Sequence, residues 1–193
     1  MRGRRQKVFS KYMFAWSLLG LVTMLAPPVA SEPLQKGLLE ALSLSAYPAT
    51  MTPPEFSGMT AAGRRVSLSE LRGRVVLLNF WASWCQECRP EMPAFEGLHR
   101  DFTAQGLTVL GINVREGTRV IQRYAKELGL TFPLVLDSKG EIRASYGVIG
   151  LPTTFLIGRD GRTVALAVGP REWGSEPARA IVQALLAESK GTP

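Results

Sequence analysis

The two cysteines of this 193-residue chain stand two residues apart, in Trp84-Cys85-Gln86-Glu87-Cys88. At that spacing two thiols can make and break one disulfide without rebuilding the backbone. Cys85, the N-terminal and more accessible of the two, is the expected attacking thiol. Cys88, one turn further in, is expected to resolve the mixed disulfide. Other uses of the pair fit the sequence less well. A structural zinc ordinarily takes four ligands, and the chain offers no further cysteine and one histidine, His99. Covalent haem attachment needs histidine directly after the second cysteine, where Arg89 stands. A purely structural disulfide here would close a two-residue loop and remove little entropy from the unfolded chain. Copper(I) binding by the two sulfurs stays open as an alternative, as do oxidant and isomerase roles for the same pair. No metal site, and no cofactor other than the cysteine pair itself, is expected.

Two flanking elements must position the pair. Upstream, Arg74-Val75-Val76-Leu77-Leu78-Asn79-Phe80-Trp81 is an apolar, β-branched and aromatic run, the pattern of a strand buried on both faces of a mostly parallel sheet. Downstream, Met92, Phe95, Leu98 and Phe102 recur at helical spacing between Arg89 and Phe102. The cysteines are therefore expected at the junction of strand and helix. There the helix dipole and its unpaired N–H groups favour a thiolate over a thiol.

Further along, Gly106 ends the helix, and Leu107 to Val114 reads as a second buried strand, which completes a βαβ unit. Arg119 to Leu128 is an amphipathic helix with Val120, Tyr124 and Leu128 inward, stopped by Gly129. Phe132 to Leu136 is a short strand, placed at an edge by Pro133. A helical turn over Glu141 to Tyr146 follows, then the strand Thr153 to Ile157, hairpin-paired through Arg159-Asp160-Gly161-Arg162 with Thr163 to Val168. A closing helix runs from Pro177 to Ser189, with Ala180, Ile181, Ala184 and Leu185 on its inner face. Before the first buried strand, Pro54 to Met59 and Arg65 to Leu68 read as a hairpin.

The net charge of +7 is concentrated at the start. Arg2, Arg4, Arg5, Lys7 and Lys11 precede the first acid, Glu32, and leave 18 basic against 16 acidic residues in the remainder. That is an ordinary balance for a soluble domain, with no basic stripe suited to nucleic acid. The basic start, the mostly apolar run from Tyr12 to Ala26, and Pro27-Pro28-Val29-Ala30-Ser31 read as a signal peptide or N-terminal membrane anchor over 1–31. Residues 32–53 are expected to be a linker, with one short helix, that lifts a domain spanning 54–193 off the membrane.

In sum of motifs, Val76-Leu77-Leu78-Asn79-Phe80-Trp81-Ala82-Ser83-Trp84-Cys85, then Arg89-Pro90-Glu91-Met92-Pro93, and later Leu151-Pro152-Thr153-Thr154-Phe155 resemble the extracytoplasmic thioredoxin-like reductases of the TlpA/ResA/DsbE kind. The resemblance implies an α/β thioredoxin fold with an N-terminal β-hairpin extension and a central helix-strand insert over 119–137. It also implies a thiol-disulfide oxidoreductase that reduces exported proteins, such as apocytochrome c, and is recharged by a membrane electron donor of the DsbD/CcdA kind. Residue by residue, it gives Cys85 and Cys88 the attacking and resolving roles. Pro152 becomes a cis-proline beside the pair, with Trp84, Leu151 and Thr153 around a bound peptide. Pro93 becomes the proline that kinks the active-site helix.

Glu91 lies three residues past Cys88, where a carboxylate can take or return the resolving thiol's proton; a solvated helix-face glutamate is the alternative. Asn79 replaces the buried aspartate of cytoplasmic thioredoxins and cannot shuttle a proton itself. Gln86 and Glu87 are expected to tune the couple. Glu87 stands where these relatives mostly carry proline, and its charge disfavours a Cys85 thiolate, which lowers the reduction potential. A thiol-peroxidase reading would ask for threonine or serine at Ala82.

Overall fold

The computed structural model describes residues 32–48 and 51–188. The expected signal or anchor at 1–31 lies outside the described residues. Among those described, no helix is long and apolar enough to cross a membrane. The elements in chain order are α1 (Glu32–Ala41), β1 (Ser45–Ala46), β2 (Ser57–Met59), β3 (Arg65–Ser67), β4 (Val75–Trp81), α2 (Glu91–Phe102), β5 (Leu107–Val114), α3 (Thr118–Leu128), β6 (Leu134–Asp137), α4 (Glu141–Ser145), β7 (Thr153–Ile157), β8 (Thr163–Val168) and α5 (Glu176–Ala187).

Six strands form one mixed sheet in the order β1-β8-β7-β4-β5-β6. β4 lies at its centre, parallel to β5 and antiparallel to β7. All seven of its residues are buried, because both faces are covered. Val75, Leu77 and Trp81 join the core shared with α1, α2, α3 and α5. Val76, Leu78 and Phe80 join the core on the other face, with Val148, Phe155 and the Tyr146 ring. The continuous apolar run that predicts a doubly covered strand is thus accounted for residue by residue. The edge strand β6 is backed by the β2–β3 hairpin through a bridge between Thr60 and Val135. A side chain at Gly58 would collide with Val135, its Cβ falling 2.5 Å from the valine's Cγ1.

Three expectations need correction. Residues 32–46 are not part of a free linker. α1 packs on the domain through Leu39; Leu42 and Leu44 follow it into the core, and β1 pairs with the outer edge of β8 at Ser45↔Leu166 and Ala46↔Ala165. The short apolar repeat Leu38-Leu39, Leu42, Leu44 is what drives this docking. Next, α2 begins at Glu91 and not at the cysteines. Pro90 and Pro93 carry no N–H, so the stretch before Glu91 closes with tighter bonds, Cys85 N–H to Ala82, Cys88 N–H to Cys85 and Glu91 N–H to Cys88. Pro93 consequently sits in the first turn of α2, where its missing donor has no helical partner to lose, and not in the helix interior. Finally, the inner face of α3 carries Ile121 and Tyr124, with Leu128 packed against the same core, and not Val120, and that of α5 carries the expected Ile181 and Leu185 with Ala178 and Val182 in place of Ala180 and Ala184.

If α1 is part of the folded domain, truncating a docked side chain costs what a core position costs. Leu42→Ala in the full chain is expected to lower the unfolding free energy by about 2 to 4 kcal/mol, measured by denaturant titration; an unchanged midpoint would mean that 32–46 is a loose spacer after all.

Candidate active site

β4 delivers the chain to the site, and its register with both neighbours decides what meets there. Trp81, its last residue, is level with Asn113 of β5, and Phe80 is level with Thr153 of β7. Pro152, one residue before β7, therefore lies beside the turn that follows β4. The Leu151–Pro152 bond is cis. The Pro152 carbonyl accepts the Gly169 N–H, and the Thr153 hydroxyl donates to the Gly150 carbonyl at 2.8 Å. The ladder between β7 and β8 begins at Thr153, so half-buried Leu151 stands outside it.

The turn itself is clamped by a residue that sequence reasoning missed. The Glu116 carboxylate accepts the Ser83 backbone N–H and the Asn113 amide, each at 2.7 Å, and the Ser83 hydroxyl as well. Glu116 sits just after β5, so this one side chain ties the end of β5 to the start of the cysteine turn.

Cys85 and Cys88 are joined as a disulfide. Cys85 is 7% exposed and Cys88 fully buried, the asymmetry that an attacking and a resolving thiol need. The Cys88 N–H points at the Cys85 sulfur, 3.2 Å away. This is the donor expected of a helix start, supplied here by the tight turn before α2. Trp84, next to the pair, is 66% exposed, an indole open to a partner. Gln86 and Glu87 are exposed too. Among the described residues no group of three or more His, Cys, Asp or Glu side chains could hold a metal ion.

Glu91 is the exception to the polar surface around it. Its side chain follows Cys88 by one tight turn and is only 3% exposed. Oε1 accepts the Arg171 backbone N–H at 2.8 Å and the Trp173 indole N–H at 2.9 Å; Oε2 is buried with no hydrogen-bond partner among the described residues. Burial pushes the carboxyl up to about 7, against the partial relief given by the Arg171 and Trp173 N–H groups and the Arg171 charge. The solvated helix-face alternative is excluded by this burial. Asn79 is buried and donates to the Thr154 hydroxyl at 2.9 Å; an amide at this position carries no proton to exchange near neutral pH.

Beside Glu91 opens a groove of about 800 Å³, walled by Ala41 and Leu42, by Gln86 and Glu87, and by Arg171 and Trp173. Neither Arg171 nor Trp173 stands out by motif. The signal that could have found Trp173 is a lone large indole in the otherwise polar loop Gly169-Pro170-Arg171-Glu172-Trp173-Gly174-Ser175, since such a ring in a loop needs something to cover. It is 1% exposed and stacks against Phe95.

A cysteine pair held at the end of the central strand, with a cis-proline facing it, defines a thiol-disulfide oxidoreductase of the thioredoxin fold. The model of the AhpC/TSA family matches residues 50–165, and the chain belongs to that family. It is 39% identical over 118 residues to the thiol-disulfide oxidoreductase ResA of Geobacillus thermodenitrificans, a match covering 61% of this chain and 68% of ResA. Among solved structures it is similar to a thiol:disulfide interchange protein of the thioredoxin family from Chlorobium tepidum, with a TM-score of 0.64 and 32% identity over 74% of this chain and 99% of that one. It is also similar to a secreted thiol-disulfide isomerase from Corynebacterium glutamicum, with a TM-score of 0.65 and 29% identity over 75% and 92% of the two chains.

The elevated Glu91 carboxyl has a consequence for stability. Its folded value of about 7 lies above the 4.5 of an exposed glutamate, so the folded state binds this proton more tightly than the unfolded state does. The resulting stabilisation is complete below about pH 4.5 and is lost as pH rises through about 7. Glu91→Gln keeps the acceptor oxygen and never ionises. Relative to the parent it is expected to gain up to about 3 kcal/mol between pH 5 and pH 8, read from urea unfolding of the oxidised protein at both pH values; an equal difference at the two values would place the Glu91 carboxyl in the ordinary range.

Proposed function

We propose that this protein works outside the cytoplasm as a reductant of disulfides in exported proteins, by cycling Cys85 and Cys88 between dithiol and disulfide. The observation that carries the reading is the buried Glu91 carboxyl one turn from the buried resolving thiol. The Cys85 thiolate attacks one sulfur of a client disulfide, forming a mixed disulfide and releasing the other client sulfur as a thiolate. Glu91 takes the proton of Cys88, whose thiolate then attacks the Cys85 sulfur. That closes the Cys85–Cys88 disulfide and frees the second client thiolate. Two electrons pass to the client, and both client sulfurs leave reduced. A carboxyl that titrates near 7 can accept this proton at ambient pH and give it up again.

Around the pair, Leu151 lies outside the β7–β8 ladder and offers its backbone for strand-like pairing with an extended client segment. Pro152 and Thr153 fix that edge, and the Trp84 indole supplies apolar contact. Gln86 and Glu87 border the sulfurs from the solvent side. Because Glu87 is exposed, its effect on the couple is small and screened by salt, though it still acts against a Cys85 thiolate. The extracytoplasmic placement is supported by the basic and apolar pattern of residues 1–31 and by the secreted relative. Apocytochrome c is a fitting client, since its haem-attachment cysteines must be reduced. A membrane dithiol donor of the DsbD/CcdA kind would recharge the pair. An isomerase role is the second reading, favoured by the isomerase among the similar structures.

The reduction potential separates these roles. For the couple in the full chain it is expected below roughly −220 mV, and a value near −120 mV would make the protein an oxidant. Glu87→Pro is expected to raise the potential. In a Cys88→Ser variant, a disulfide-bonded client peptide is expected to accumulate as an adduct on Cys85, seen by mass spectrometry; no adduct, or one formed only in Cys85→Ser, would reverse or remove the assigned roles.

A further inference from the structure

The segment from Pro170 to Ser175 is a strap across Glu91, and one of its residues reaches in two directions. Arg171 donates its backbone N–H to Glu91. Its guanidinium donates to the Ser43 carbonyl from Nε at 3.2 Å and from Nη2 at 2.9 Å, and Nη1 donates to the Pro170 carbonyl at 2.8 Å. Two nitrogens on one carbonyl make a fork, a contact that fixes direction as well as distance.

Ser43 is shaped to receive it. α1 ends in a pair of reverse bonds, Ser43 N–H to Glu40 at 2.9 Å and Leu44 N–H to Leu39 at 2.8 Å, the cap in which the residue past the helix turns left-handed. That residue is usually glycine, whereas here Ser43 adopts φ +50°, a conformation that costs a side chain about 1 kcal/mol or more. The cap aims the Ser43 carbonyl at the strap. Ala41 and Leu42 on one side and Arg171 and Trp173 on the other then form facing walls of the groove beside Glu91.

We infer that Arg171 is a positioning residue of the redox site, and that its grip on Ser43 makes the N-terminal segment 36–46 part of the machinery that holds the Glu91 carboxyl. The inference rests on Glu91 being the proton acceptor for Cys88. With the fork in place, the strap is pinned at one end to α1 and at the other to α5. The Arg171 N–H and Trp173 indole cannot swing away when the proton arrives or leaves. The ionisable groups that face Glu91 are Arg171 and Glu172 on the strap, with Cys88 one turn before it and Glu87 on the groove wall. The end of α1 and the turn after it that line the groove, Ala41 to Ser43, add none. Removing the Arg171 charge and loosening its N–H both favour the protonated carboxyl, so they act in one direction.

The test uses the full chain and the second, intramolecular phase of its reaction with Ellman's reagent, in which Cys88 expels thionitrobenzoate from Cys85. In the parent this phase is expected to rise with pH through the Glu91 titration. Arg171→Gln is expected to move that midpoint up by about half a pH unit, which means a phase about three-fold slower on the acid side, with the first, Cys85-dependent phase unchanged. Arg171→Lys keeps the charge and gives up the fork, and is expected to move the midpoint the same way by less. In a Glu91→Gln background neither substitution should change the profile, the coupling that a double-mutant cycle isolates. An unshifted midpoint in both Arg171 variants, or an equal slowing with and without Glu91, would overturn the inference. A Glu91→Gln profile identical to the parent's would instead remove Glu91 from the proton path.

Discussion

Everything at this site is arranged around keeping one carboxyl out of water. An isolated carboxylate in the protein interior costs several kcal/mol unless it is neutralised or well supplied with donors. Glu91 has two donors, both on Oε1, and Oε2 has none. That supply is too small to hold the carboxyl at the usual carboxylate value. The carboxyl is pushed up to about 7, closer to the reference range of a thiol than an exposed glutamate stands. A fully solvated glutamate would be too weak a base at pH 7, and a fully unpartnered one would hold its proton throughout.

The fold builds the site by bringing four parts of the chain to one end of the sheet. The central strand β4 supplies the cysteine turn, β7 brings Pro152 against it from one side, and β5 brings Asn113 and Glu116 from the other. Each partner is fixed by strand register, so a slip of one residue would turn every side chain of β4 to the wrong core. The fourth part is different in kind. The strap over Glu91 is a loop, and it takes its rigidity from side chains: the Trp173 ring against Phe95, and the Arg171 fork on Ser43. Strand register places the sulfurs, whereas the donors to Glu91 come from a loop.

The sequence made the strands and the cysteine chemistry legible because both are local signals. An uninterrupted Val-Val-Leu-Leu before a Cys-x-x-Cys pair states the strand, its burial and the position of the thiols at its end. The Glu91 environment was not legible, since spacing alone leaves a helix glutamate either solvated or buried. What decides between them is Trp173, 82 residues further on. Glu116 was missed for the same reason: its role depends on β4 and β5 being neighbours in space, and nothing in the residues around it announces a contact with Ser83. Within the expected linker 32–53, the docking of 32–46 was not legible either. The flanking prolines and the targeting pattern upstream suggested a spacer, but Leu39, Leu42 and Leu44 carry enough apolar surface to dock. The open outer edge of β8 gives the two residues of β1 something to pair with.

The most direct measurement is the titration of Glu91 itself, followed by carbon-detected NMR of the side-chain carboxyl in the oxidised full chain and assigned with Glu91→Gln. A midpoint near 7 is the expected result. A midpoint near 4.5 would contradict it, and would mean that the carboxyl is ionised throughout the working range and that the proton of Cys88 leaves by another route.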